Sequence, residues 1–140
     1  MTEHFSLAEL TQTDHRKLDN SPDFVSLKNL QRLAEFLETV KTALGGKPII
    51  INSAYRSKAV NAAVGSSDGS QHCKGCAADF KVPNMKPDEV VRAIIAAKLP
   101  FDQIIREFDL WTHISIPNTA NAKPRGSKLI IDRLGVRQFI

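Results

Sequence analysis

Apolar and polar positions along this chain follow two periods, and the changes between them mark its elements. The clearest stretch is Leu27, Leu30, Leu33, Ala34, Leu37, Val40 and Leu44, which recur at the spacing of one helical face. Ser26 is read as its cap and Gly45-Gly46 as its stop. Before it, Phe5 to Leu10 reads as a short capped turn, with Ser6 as cap and Glu9 three residues on. Residues 11–25 are polar and irregular, with turn chemistry at Asp19-Asn-Ser-Pro22. Pro48 to Ser53 reads as a buried strand, Lys58 to Val64 as a short helix, and Gly65 to Ser70 as a flexible loop. Cys76 to Val82 reads as a second strand, stopped by Pro83. Helical spacing returns between Lys86 and Lys98 through Val90, Val91, Ile94 and Ile95. Phe101 to Glu107 and Leu110 to Ile116 read as two more strands. Lys128 to Asp132 and Val136 to Ile140 read as a final hairpin around Leu134-Gly135. This order of elements predicts an α+β fold, a small mainly antiparallel sheet with helices packed on one face.

Composition narrows the class. A chain of 140 residues, 42% hydrophobic and 24% charged, suits one domain, 1–140, with one core. The longest apolar run, Pro48 to Ile51, is far short of a membrane span. Met1 to Phe5 lacks a basic region followed by an apolar core, so no secretory signal is expected. The net charge of +4 and pI of about 9.2 fit either a mildly basic protein or one drawn to an anionic polymer such as nucleic acid or a cell wall. Basic residues gather only around Lys123, Arg125 and Lys128. No stripe for nucleic acid results, and neither a nucleic-acid partner nor membrane insertion is expected. A monomer is expected.

Candidate chemistry concentrates in Ser70-Gln-His-Cys-Lys-Gly-Cys-Ala-Ala-Asp79 and Trp111-Thr-His113. Two imidazoles and a carboxylate hold zinc with one coordination position open. Water in that position loses its proton near neutral pH and can attack a carbonyl, which points to a hydrolase. A lone histidine is usually a surface or satisfied core residue, and His4 and His15 are read that way. His72, Asp79 and His113 differ because each falls at the edge of a buried segment. If residues 107–113 are extended, Glu107, Asp109, Trp111 and His113 share one face. Ala77 and Asp79 likewise share a face of their strand, with His72 on the loop entering it. Both cysteines sit in Cys73-Lys-Gly-Cys76. No second pair completes a four-cysteine site, and free or packed thiols are the reading, with a local disulfide as the alternative.

Ser70-x-His72-x-x-Gly75-x-Ala77-x-Asp79 followed by Trp111-x-His113 resembles the M15 zinc peptidases, which include D-alanyl-D-alanine carboxypeptidases and bacteriophage endolysins that cut peptidoglycan peptides. Phe5 to Leu10, Asp19 to Pro22, Ile51 to Ser57, Asn61, Phe101-Asp-Gln103 and Glu107-Phe108 resemble the small phage and prophage branch. The resemblance implies zinc ligands at His72, Asp79 and His113. It implies that Arg56 orients substrate or an oxyanion, that Ser70 and Gln71 bond substrate, and that Trp111 walls the cleft. Many members of the wider family place the catalytic acid three residues before the second histidine, where this chain has Leu110. The phage pattern moves that role to Glu107, with Asp109 the second candidate. The implied activity is zinc-dependent hydrolysis of stem or cross-bridge peptides, as a carboxypeptidase or endopeptidase. The implied place of action is the cell wall or a virion, after synthesis in a host cytoplasm. A zinc-stabilised wall-binding or virion structural domain without activity is the rival, and a different hydrolase such as an amidase is another.

Overall fold

The computed structural model describes residues 1–139; the last position of the expected final hairpin, Ile140, lies outside the described residues. Helix α1 (Leu7–Leu10) is closed by a full capping box between Ser6 and Glu9. Helix α2 (Phe24–Ala43) begins earlier than its apolar stripe suggests. Asp23 is the cap, accepting the Ser26 amide at 2.7 Å, so Ser26 lies inside the first turn. The stripe misses this start because Phe24 and Val25 face solvent. Strand β1 (Ile50–Ser53), helix α3 (Lys58–Ala63), a 3-10 turn (Gln71–Lys74) and strand β2 (Ala77–Lys81) follow. Helix α4 (Pro87–Ala96) opens with Pro at its first position, where the missing N–H costs nothing. Strands β3 (Gln103–Glu107), β4 (Trp111–Ser115), β5 (Ser127–Asp132) and β6 (Gly135–Gln138) complete the order.

Among the described residues the strands form one sheet in the order β1-β2-β4-β3-β5-β6. Every pairing is antiparallel except β3 with β5, which is parallel. The fold is α+β, as expected, with this one mixed join. Side-chain alternation splits the central strands cleanly. Ala78, Phe80, Ile104 and Ile114 join Leu30, Leu33, Leu37, Val90, Val91 and Ile94 of α2 and α4 in the core. The other face of the same strands carries Asp79, His113 and Glu107. No described helix is long and apolar enough to cross a membrane.

Between β3 and β4 the chain departs from the extended run considered above. Phe108 and Asp109 both adopt the left-handed conformation (φ 54° and 53°). The Leu110 amide donates to the Glu107 carbonyl at 3.0 Å, closing a tight turn. Glu107 and Trp111 thereby become cross-strand partners.

Candidate active site

Register builds the site. Asp79 of β2 lies directly opposite His113 of β4, and Glu107 of β3 lies opposite Trp111, two residues before that histidine. Cross-strand neighbours of this kind share one face within side-chain reach. His72 arrives from outside the sheet, on the 3-10 turn. That turn ends at Gly75 in the left-handed conformation, φ 75°. A Cβ there would stand 2.6 Å from the Ser26 carbonyl oxygen, so only glycine lets the turn settle against α2.

The segment after β1 fixes the ring of His72. Its Nδ1 lies 2.6 Å from the Ala54 carbonyl oxygen, and its own carbonyl accepts the Arg56 amide at 3.1 Å. Buried Asn20 holds this segment in turn, donating to the Tyr55 carbonyl and accepting the Ser57 amide. A carbonyl only accepts, so the proton of neutral His72 resides on Nδ1 and Nε2 presents a lone pair. Full burial, the largest influence on this ring, lowers its pKa and keeps it neutral despite the neighbouring carboxylate.

That lone pair faces an anion. His72 Nε2 stands 3.4 Å from Asp79 Oδ2, and His113 Nδ1 stands 2.9 Å from Asp79 Oδ1. Burial pushes the Asp79 carboxyl up, but the two histidines outweigh it and hold the group well below the usual carboxylate range. Asp79 is held ionised chiefly by positive charge on the His72 side, yet burial denies that ring a second proton, so His72 Nε2 and Asp79 Oδ2 face each other as two acceptors. Such a contact is unfavourable unless a cation lies there. The three side chains are only 3%, 14% and 11% exposed, and their donor atoms lie within 4.8 Å of one another. Two donors on one tetrahedral ion stand roughly 3.3–3.4 Å apart, which matches the His72–Asp79 separation. The residues therefore fit a metal ion, with the outer nitrogen of His72 braced by a carbonyl as metal-binding histidines usually are.

A cleft of about 590 Å³ opens over this cluster, lined also by Arg56, Ser70, Glu107, Phe108, Trp111 and the segment Val64–Ser66. Glu107 lies 4.0 Å from His113 Nδ1 with its side chain 18% exposed. Burial first, and then the Asp79 charge, raise its pKa. Arg56 Nε is buried without an acceptor among the described residues, and the Trp111 indole N–H is directed towards its cross-strand partner Glu107. Arg56 thus keeps an unused donor at the wall of the cleft.

Two expected site residues lie elsewhere. Asp109 projects from the turn, 68% exposed and ion-paired with Arg106 at 3.0 Å, and it does not line the cleft. The left-handed residues at the turn break the alternation that would have placed it beside His113. Gln71 turns away, its amide nitrogen shared among Asp102, the Ile116 carbonyl and Asn118 at 3.0–3.2 Å. Val64 and Ser66 line the cleft without having been singled out in the sequence, and Phe108, quoted there only within the Glu107-Phe108 match, lines it too. No residue pattern announced them: the exposure of Val64 and Phe108 is a property of the folded chain. Cys73 and Cys76 are both free and neither belongs to the cluster.

The sequence profile of the peptidase M15 family matches residues 3–115, well over half of the chain and all of the site just described. No curated protein matches it.

Proposed function

This chain belongs to the M15 peptidase family, and on that premise we propose that it is a zinc-dependent peptidase of bacterial peptidoglycan peptides, serving as a phage or prophage lysin. The observation that carries the reading is the buried acceptor-to-acceptor contact of His72 and Asp79, with Glu107 beside it in one open cleft. Two imidazoles and one carboxylate are the donor set of catalytic zinc sites. The motif resemblance supports the phage branch, and the net charge of +4 agrees with an anionic wall.

His72, Asp79 and His113 would hold the metal. Zinc, when bound, supplies a Lewis acid and an acidified water. The remaining work falls to the chain. Glu107 takes a proton from the attacking water at its carboxylate and delivers it to the leaving amine. Its raised pKa brings it nearer the working pH, where a group can both accept and donate. Arg56 presents its fork to a substrate carboxylate or to the developing oxyanion. Trp111 and Phe108, with ring centroids 5.9 Å apart, wall one side and exclude water there. Ser70, whose hydroxyl already accepts the His72 amide at 3.2 Å, keeps its own O–H for substrate. Asp109 has no role in this scheme.

The test is mass spectrometry of purified bacterial walls incubated with the protein. New peptide termini are expected with zinc, none after chelation, and restored cleavage on re-addition. His113→Ala is expected to lose both the bound metal and the cleavage. Walls from several bacterial types left intact by zinc-loaded protein would overturn the substrate assignment.

A further inference from the structure

Asp102 is buried at 5% exposure and does not line the cleft, yet it is the centre of a dense polar knot. Its Oδ2 accepts from Arg125 Nε at 2.9 Å, from Arg125 Nη2 at 2.8 Å and from Gln71 Nε2 at 3.2 Å. Its Oδ1 accepts the Arg125 amide at 3.1 Å. The backbone joins in: the Asp102 amide donates to the Ser115 carbonyl and the Ser127 amide donates to the Asp102 carbonyl. Burial pushes the carboxyl up, but Arg125 outweighs it and holds the group below its ordinary value. A buried carboxylate so satisfied is a rigid anchor, because freeing any one partner leaves charge unpaired.

What the anchor holds is the turn that carries His72. Gln71 precedes that histidine, and its side chain spans from Asp102 to the Ile116 carbonyl and Asn118. Its own carbonyl accepts the Cys76 amide at 3.0 Å, and the Ile116 amide donates to the Cys76 carbonyl at 2.9 Å. The turn is therefore gripped at both ends by the chain after β4. Arg125 itself lies beyond the stretch that matches the family profile, residues 3–115.

We propose that Asp102 and Arg125 form a positioning clasp, acting through Gln71, that fixes the 3-10 turn and so the metal-facing nitrogen of His72. The segment after residue 115 is then part of the metal centre's support without touching it. The consequence for the metal rests on the peptidase reading above; the grip on the turn does not. Partners that orient a metal ligand typically account for about 10–100-fold in metal affinity, and the clasp works at one further remove, so the lower part of that range is expected.

Two measurements on the full chain decide it. The first is amide hydrogen exchange of metal-free protein by NMR. Arg125→Ala and Asp102→Asn should speed exchange at the Arg56 and Cys76 amides, whose acceptors are the carbonyls of the turn, and leave α4 unchanged. The second is zinc affinity by chelator competition. Both variants should weaken it about tenfold, Arg125→Lys should recover part of the loss, and adding Gln71→Leu to Arg125→Ala should cost little more. Turnover at saturating zinc should return close to wild type with KM unchanged, an outcome that general destabilisation does not produce. Arg125 is largely solvent-facing, and Arg125→Lys leaves a cation beside the Asp102 carboxylate, so that variant keeps the fold even if Arg125→Ala or Asp102→Asn does not. Unchanged exchange at both amides in Arg125→Ala overturns the clasp. So does a turnover deficit that persists at saturating zinc, or full additivity with Gln71→Leu. A wild type that binds no zinc but shows the exchange pattern overturns the peptidase reading and leaves the clasp standing.

Discussion

The two faces of the central strands are built to opposite specifications. One face of β2, β3 and β4 offers Ala78, Phe80, Ile104 and Ile114, each 0% exposed and packed against α2 and α4. The other offers Asp79, Glu107, Trp111 and His113 to a cleft. The first face gains stability from apolar area removed from water. The second gathers an ionised carboxylate, a glutamate whose charge burial disfavours, and a neutral ring facing an anion. Side chains one position apart along the same strand thus serve folding and chemistry separately. The site can therefore be altered with little loss of fold, and the core can be weakened without rewriting the chemistry.

The largest expected effect is on the chemical face. Glu107→Gln should lower turnover by about 10²–10⁴-fold, the usual contribution of a positioned acid–base group, with zinc stoichiometry intact. Its stability should move the other way. The folded pKa of Glu107 is raised, so its ionised form opposes folding, and that penalty grows as pH rises above the unfolded value. Metal-free Glu107→Gln should then melt higher than wild type at pH 7, with the gap closing toward pH 4, as read by calorimetry. A lower melting temperature at pH 7 would show that the glutamate supports the fold and would break the contrast.

Next comes the core face. Phe80→Ala, one position beyond Asp79, removes a fully buried ring and should cost about 3–5 kcal/mol of unfolding free energy in denaturant titration. Where the variant remains folded, its zinc affinity should stay close to wild type. A loss of affinity matching that of a ligand variant would show that the two faces are not separable.

The least change is expected at the turn beside the cleft. Asp109→Asn removes an exposed partner of Arg106. Such pairs contribute about 0–1 kcal/mol, and wall cleavage should be unchanged within measurement. A dead Asp109→Asn enzyme alongside an active Glu107→Gln would reverse the assignment of the base.

Much of this was legible along the chain. The stripe from Leu27 to Leu44 gave α2 because seven apolar residues at helical spacing have one economical solution, a single buried face. Ala77 and Asp79 could be paired on a strand face because side-chain alternation is a local property. The trio His72, Asp79 and His113 was nameable because ligand chemistry restricts residue types, and the motif that carries them is specific. Other features depended on contacts between distant segments. The start of α2 at Phe24 escaped the pattern because its first residues face solvent. Asp109 was separated from the cleft by two left-handed dihedrals, and Phe-Asp does not encode them as Asn-Gly would. Gln71 neighbours a ligand in sequence, but its three acceptors come from residues 102, 116 and 118, and only folding brings them together. The same holds for β5. Its composition says strand, and the hairpin with β6 is local, but its parallel alignment with β3 is set by the Asp102–Ser127 hydrogen bond and by the edge that β3 left open. Residue type and spacing determined which groups could do chemistry here. Which of them face one another was decided by register, turn dihedrals and long-range hydrogen bonds, because orientation is a property of the assembled sheet and not of any single stretch of sequence.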